Sequence, residues 1–173
     1  MRALFDYITC EWSDLIDVVS DDLLQVKWNS SPIEILSIDA MKTPDLSRHI
    51  VSEFFPFLIP GGSVFHQDFC FAATWWIHIF HYLMRECFEA SDTLSGDSGV
   101  MFRVKSRVTQ ADVNRVLNHD LADRRTADES FAYSLSLAAP EDRKPIADGH
   151  IQYYLDTERS QLAEEWRSRY SQI

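Results

Sequence analysis

Three side chains that could carry chemistry follow two short apolar segments of this sequence. Asp39 comes directly after the β-branched run Ile33–Ile38, and Lys42 follows it in the same loop. Asp68 comes directly after a second run, Ser63–Gln67. Two converging carboxylates suit a hard cation such as Mg²⁺, and a nearby lysine supplies a positive charge or, with a lowered pKa, a base. The structural alternative stays open: Asp39 caps a turn and Asp68 starts a loop.

The residues between the two aspartates predict how they are positioned. Thr43-Pro44-Asp45 combines a capping hydroxyl, a proline at the first helical position and an early acid, which predicts a helix start. Apolar residues then recur at every fourth position from Leu46 to Leu58, and Pro60-Gly61-Gly62 predicts a turn. Such a strand–helix–strand unit brings both strand ends to one edge of a parallel sheet, where ligands bind in open α/β sheets.

Other patterns predict the flanking elements of this sheet. Leu15–Ser20 predicts a short strand that ends near Asp22, and Ala73–Phe88 keeps a helical period. Residues 90–95 and 99–106 flank a Gly-Asp-Ser-Gly sequence and predict an antiparallel hairpin. An antiparallel ending is common on an otherwise parallel sheet.

The sequence changes character after Ser106. Thr109-Gln110-Ala111-Asp112 is typical of a capping box at a helix start. The tail from about Pro140 is polar, with a thin apolar stripe at helical spacing. We therefore predict an α/β domain over residues 1–106 and a helical C-terminal extension over residues 107–173.

Composition excludes some classes of partner. The formal net charge is −11 over 173 residues, whereas non-specific nucleic-acid binding needs Lys and Arg to neutralise phosphates. The same acidity argues against docking on anionic lipid, and no apolar run is long enough to span a bilayer. Three cysteines without a metal-binding spacing are typical of reduced thiols, so we expect a cytoplasmic protein. From the charge and the short apolar runs we expect neither a nucleic-acid nor a membrane partner.

Histidines offer further candidates. His78 and His81 lie three residues apart on the predicted helix, and we interpret them as packed core residues rather than as a zinc site. His66 lies two residues before Asp68 on the same strand face. Asp39, Asp68 and His66 could therefore form the site of a small metal-dependent enzyme.

The run IEILSIDAMKTPDL…FFPFLIPGGSVFHQDF resembles the second half of a class I S-adenosylmethionine-dependent methyltransferase. It is most similar to the metal-assisted O-methyltransferases, and the resemblance covers residues 12–106. This resemblance implies a partial Rossmann-like sheet, with the family's strands three to seven and an antiparallel hairpin at the end. It also implies S-adenosylmethionine as cofactor, Mg²⁺ as metal and a small hydroxylated molecule as methyl acceptor.

The resemblance assigns roles to individual residues. Asp39 and Asp68 match metal-binding positions, Lys42 matches the lysine that acts as base, and Asp22 resembles the acid that faces the adenine of the cofactor. The chain departs from the family beside Asp68, where a second metal ligand usually stands. Its neighbours here are Gln67 and Phe69, and phenylalanine offers no ligand atom.

The larger departure concerns the cofactor side. The family binds its cofactor with a Gly-rich turn after strand one and an acid after strand two, and each strand–helix step needs about 20–30 residues. Residues 1–14 cannot hold these elements, so we expect Ile33–Ile38 to be an exposed apolar edge strand. A second copy or a partner chain could cover this edge, the N-terminal segment could fold over it, or the chain could be part of a longer gene product. The alternative to a methyltransferase that is inactive alone is a non-catalytic interaction module that pairs through this edge.

Overall fold

A four-stranded mixed sheet organises the protein. The computed structural model describes residues 2–93 and 99–172. The sheet order is β1-β2-β4-β3, with β1 parallel to β2 and with β4 antiparallel to both of its neighbours. The strands are β1 (Ile33–Ile38), β2 (Leu58–His66), β3 (Phe88–Thr93) and β4 (Val100–Val104). The predicted α/β class and the antiparallel hairpin are confirmed. Residues 94–98, which include most of the predicted Gly-Asp-Ser-Gly turn, lie outside the described residues.

The α-helices connect the strands and then form the C-terminal third of the chain. Among residues 2–93 and 99–172, no helix is long and apolar enough to cross a membrane. The helices are α1 (Arg2–Ile8), α2 (Pro44–Glu53), α3 (Trp76–Leu83), α4 (Gln110–Leu117), α5 (Arg124–Leu137), α6 (Arg143–Asp156) and α7 (Ser160–Arg169).

Local sequence signals set two of the helix starts. The backbone N–H of Leu46 donates to the Thr43 hydroxyl over 3.2 Å, so the predicted cap of α2 is confirmed. At α4, Thr109 and Asp112 form the predicted capping box, in which each side chain accepts from the other residue's backbone N–H. Such caps satisfy backbone donors that have no partner within the helix.

One predicted strand is wrong. Leu15–Ser20 is irregular, so the described sheet has four strands rather than the five that the resemblance implies. Leu15 and Val19 are both largely exposed, and a strand without buried apolar side chains or a pairing partner gains little from being extended. Asp22 therefore follows no strand and instead caps the 3-10 helix Leu23–Gln25.

The Pro-Gly-Gly sequence is also not a turn before a strand. It lies inside β2, which begins at Leu58, and the register with β1 shifts there between Ile33 and Ile35. Gly61 has φ of +90°, a conformation that favours glycine. A Cβ on Gly62 would lie 2.6 Å from the carbonyl oxygen of Glu34, so β1 and β2 approach closely only because glycine stands there.

Helix α3 is shorter than its apolar period predicts. The segment Ala73–Phe88 divides into α3 and two flanking 3-10 helices, Ala72–Thr74 and Arg85–Cys87. Helix α3 contributes Ile77, Phe80 and other wholly buried side chains. The predicted helical pattern is thus confirmed only for its middle part.

The two faces of the sheet differ in their cover. Val64 and Phe102 are paired across β2 and β4 on the face that His81 of α3 packs against, and they are fully buried. The opposite face carries Ile35, which is 75 % exposed, and Arg103, which is also exposed. The buried core continues from the sheet into α5 and α6, and the predicted domain boundary after residue 106 stays a prediction.

Candidate functional site

Asp39 and Asp68 follow neighbouring parallel strands at the same edge of the sheet. Asp39 comes directly after β1, and Asp68 lies two residues beyond β2. The backbone N–H of Gln67 donates to the Ile38 carbonyl over 3.0 Å, which keeps the two strand ends together. The prediction that both carboxylates project from one edge rests on this pairing of β1 with β2.

Lys42 joins the two carboxylates. Its ammonium Nζ donates to Asp39 Oδ1 over 2.9 Å and also to Asp68 Oδ2. The Asp68 side chain is 12 % exposed, whereas the side chains of Asp39 and Lys42 are about half exposed. A lysine ammonium has three N–H donors, so one donor remains for an oxygen atom of a ligand at this open site.

Buried contacts from α3 and the loop before it hold the site loops in place. The indole N–H of Trp76 donates to the Met41 carbonyl over 3.1 Å and to the Ser47 hydroxyl over 3.0 Å. The Thr74 hydroxyl donates to the Asp68 carbonyl over 2.9 Å. These bonds fix the backbone next to Lys42 and at Asp68, which pre-organises the three charged side chains.

The electrostatics favour a charged lysine. Hydrogen bonds to Asp68 and then to Asp39 raise the pKa of Lys42, and its slight burial opposes this effect. A general base needs a lysine pKa that is lowered towards neutrality. In this arrangement Lys42 is therefore a cationic hydrogen-bond donor.

A divalent metal does not fit the site as it is arranged. Mg²⁺ would need the oxygens of Asp39 and Asp68, but the Lys42 ammonium already lies between them. Across residues 2–93 and 99–172, no group of three or more His, Cys, Asp or Glu side chains could hold a metal ion. His66 accordingly does not join the two aspartates in a metal site.

A small apolar cavity adjoins the site. Its volume is about 170 Å³, and Asp39 contributes to its lining together with Leu23, Leu36, Ile38, Ile50 and Phe54. Small-molecule sites usually measure about 300–1,000 Å³, so this cavity would enclose only one end of a ligand such as S-adenosylmethionine. An apolar slot beside a carboxylate suits the adenine end of that molecule, and the rest of the molecule would lie outside the slot.

Asp22 lies next to this cavity in sequence but has a local role. Its carboxylate accepts from the backbone N–H of Leu24 over 3.1 Å, and the side chain of the following residue, Leu23, lines the cavity. The predicted contact of Asp22 with adenine stays a prediction. Sequence reasoning missed the cavity because Leu23 lies in the 3-10 helix Leu23–Gln25 and Phe54 lies directly after α2, and no sequence spacing links the two positions.

The C-terminal helices also support the site. The indole N–H of Trp75, in the loop after Asp68, donates to Asp156 Oδ2 at the end of α6 over 2.8 Å. The Trp75 ring packs edge-on against Tyr153 at 5.1 Å between centroids. This contact is absent from the sequence prediction, since nothing in the spacing of these residues pairs them.

His66, His78 and His81 belong to the core rather than to the site. All three are at most 2 % exposed, and the rings of His66 and His81 lie 4.4 Å apart between centroids. Burial lowers the pKa of His66 and of His78 to about 3 and that of His81 well below its usual value. The three imidazoles are therefore neutral at pH 7.

A second polar cluster joins α5, α6 and the 3-10 helix Tyr170–Gln172 that follows α7. His150 is fully buried, and its two ring nitrogens lie 3.0 Å from Asp128 Oδ1 and 2.9 Å from the Tyr170 hydroxyl. Tyr154 donates to the same Asp128 oxygen. Burial lowers the pKa of His150 to about 4, although Asp128 opposes this shift. The cluster holds three helices together.

A comparison with protein-family models, with curated proteins and with solved structures finds no match to this chain. The arguments about its function therefore rest on the geometry of the site described above.

Proposed function

We propose that this chain is the acceptor-side half of an S-adenosylmethionine-dependent methyltransferase that acts on a small hydroxylated molecule. The observation that carries this proposal is the convergence of Asp39, Lys42 and Asp68 at the carboxyl ends of β1 and β2. Ligands bind at that edge in open α/β sheets. The resemblance of Ile33–Phe69 to the family and the antiparallel strand at the end of the sheet support it.

The site residues suggest a division of roles. The cofactor would supply an activated methyl group on a sulfonium, which leaves as a thioether when the acceptor oxygen attacks the methyl carbon. Asp39, the more exposed carboxylate, accepts the proton of the acceptor hydroxyl. The free N–H of Lys42 stabilises the resulting oxyanion, and Asp68 holds the ammonium in place. The resemblance implies Lys42 as base, but its raised pKa favours the donor role.

Calorimetry tests cofactor binding directly. We expect heat when the wild-type protein is titrated with S-adenosylmethionine, since an apolar cavity adjoins Asp39. Methyl transfer to a panel of catechols, sugars and phenols is then measured through the amount of demethylated cofactor that is released. We expect Lys42→Met to keep the heat of cofactor binding and to lose about 10²–10³-fold in turnover, the usual effect of removing one oxyanion donor.

A matched control separates this effect from a general loss of charge. Lys144 on α6 also pairs with an aspartate, Asp148, over 2.8 Å, and it is exposed. Lys144→Met should leave cofactor binding and turnover unchanged. Absence of heat with the folded wild-type protein would show that this chain alone is not the enzyme.

A second candidate is a non-catalytic module that pairs through the open sheet edge. The observations that favour it are the small size of the cavity and the position of β1 at the edge of the described sheet. This candidate predicts that the wild-type chain has no methyl-transfer activity, so Asp39→Ala would change only stability or assembly. Methyl transfer by the wild-type protein would exclude it.

The proposal extends to compartment and partners. A cytoplasmic location agrees with the free thiols of Cys10, Cys70 and Cys87. Burial raises the pKa of Cys70 to about 12, so this thiol is unreactive. Besides the small acceptor, we propose that a second copy of this chain or a partner chain covers the β1 edge, and we propose neither a nucleic-acid nor a membrane partner.

A further inference from the structure

We propose that β1 pairs with β1 of a second copy of this chain across a two-fold axis, which joins the two sheets into one continuous sheet. This inference concerns assembly and does not depend on methyl transfer. It also specifies the occupant of the open edge and the register in which it binds.

The backbone of β1 presents unpaired groups along one side. Amide and carbonyl groups point to alternate sides along a strand, and the Ile38 carbonyl accepts from Gln67 on the β2 side. The N–H and C=O groups of Ile35 and Ser37 therefore point away from β2. In the described sheet no further strand follows β1 on this side. Such a row of free groups is a template for another strand.

The sequence of β1 is self-complementary in one antiparallel register. With the two-fold axis at Leu36, Ile35 of each copy lies opposite Ser37 of the other, and the outward groups of both residues meet. This register forms four backbone hydrogen bonds. Glu34 then lies opposite Ile38 of the second copy, so no like charges face each other within the paired strands.

The surface area is consistent with an uncovered interface. The chain exposes 9810 Å². A folded monomer of 20.1 kDa is expected to expose about 8,700 Å², so roughly 1,100 Å² is in excess. One partner of a standard interface contributes about 800 Å². Large exposed apolar side chains lie on β1 and in the segment that leads into it, and they include Trp12, Leu15, Val19, Leu24 and Ile35.

The charge of the chain predicts how this assembly responds to salt. Each copy carries a formal net charge of −11, which opposes self-association at low ionic strength. Added salt screens this repulsion. The dimer should therefore tighten as sodium chloride is raised, whereas an interface held by opposite charges would weaken.

Sedimentation equilibrium and light scattering test the proposal on the full chain. We expect twice the chain mass of 20.1 kDa for the wild type and the single-chain mass for Ile35→Lys, because a charge on an edge strand blocks pairing. Leu155→Lys on α6 is the matched control, since it also replaces an exposed aliphatic side chain and should remain dimeric. Thermal melts check that both variants are folded.

Amide hydrogen exchange measures the register in which the two β1 strands pair. In the wild type the amides of Ile35 and Ser37 should be protected and should lose this protection in Ile35→Lys. The amides of Leu36 and Ile38, which face β2, should stay protected in both. A wild-type mass of one chain up to about 100 μM, a stable complex with a different protein, or an Ile35→Lys variant that stays dimeric would each overturn the proposal.

Discussion

Acid is expected to destabilise this protein through its buried histidines. His66, His78 and His150 are buried and neutral, and burial is the main cause that lowers the pKa of each, to about 3, 3 and 4 respectively. In the unfolded chain they titrate near 6.5. Below pH 6.5 the unfolded state therefore binds more protons than the folded state, and stability falls as the pH falls.

The magnitude follows from proton linkage. Each such histidine removes about 1.4 kcal/mol of stability per pH unit below 6.5, which is about 2 kcal/mol at pH 5. Three of them remove about 6 kcal/mol, which is comparable to the whole stability of a typical domain, about 5–15 kcal/mol. The loss continues until the pH reaches the folded pKa values, near 4 for His150 and near 3 for the other two.

Urea denaturation between pH 7.5 and pH 5, followed by tryptophan fluorescence, measures this loss. His66→Leu removes one titrating group and a ring nitrogen, Nε2, that is buried without a hydrogen-bond partner. We expect the loss between these two pH values to be about 2 kcal/mol smaller in this variant than in the wild type. Near pH 7.5 its stability should match or exceed that of the wild type, because an unsatisfied buried atom is removed.

Val64→Ala provides the control for a general change in packing. Val64 is fully buried on the same strand face as His66 and does not titrate. This variant should lose stability equally at every pH. If His66→Leu and the wild type lose the same free energy between pH 7.5 and pH 5, the imidazole of His66 is not the source of acid sensitivity and the reasoning is refuted.

Two further substitutions test how backbone and caps hold the fold. Gly62→Ala should cost more than about 2 kcal/mol because its Cβ would lie 2.6 Å from the Glu34 carbonyl oxygen. Gly149 lies in α6, and the nearest atom to a Cβ added there would be 3.4 Å away, on the Phe131 ring. Gly149→Ala should therefore change stability by less than about 1 kcal/mol. Thr109→Ala should cost about 1 kcal/mol through loss of the α4 cap, with the exposed Ser136→Ala as control. Equal urea midpoints within either pair would contradict these assignments.

Local chemistry explains which parts of the fold could be predicted. The caps at Thr43 and Thr109 depend on residues within one helical turn, so a short pattern specifies them. Strand β1 was predicted because a run of β-branched residues favours a strand, whichever distant elements cover it. Leu15–Ser20 has a similar local pattern, but a strand needs a partner, and a single sequence cannot show whether one is present.

The site was predicted in part for the same reason. Parallel pairing of β1 and β2 brings Asp39 and Asp68 together, and this follows from the connection between the strands. The position of the Lys42 ammonium between them depends on side-chain rotamers and could not be predicted. The burial of His66 and the cluster around His150 depend on packing between elements far apart in sequence, which periodicity does not specify.

The bond between Trp75 and Asp156 has a consequence for the timing of folding during synthesis. Asp156 follows Trp75 by 81 residues, so a ribosome needs about 4–16 s to add it after Trp75. Strands β1 and β2 have been synthesised well before then, but the loop after Asp68 lacks its anchor on α6 throughout this interval. The nascent chain therefore completes this support of the charged cluster only after α6 has been synthesised.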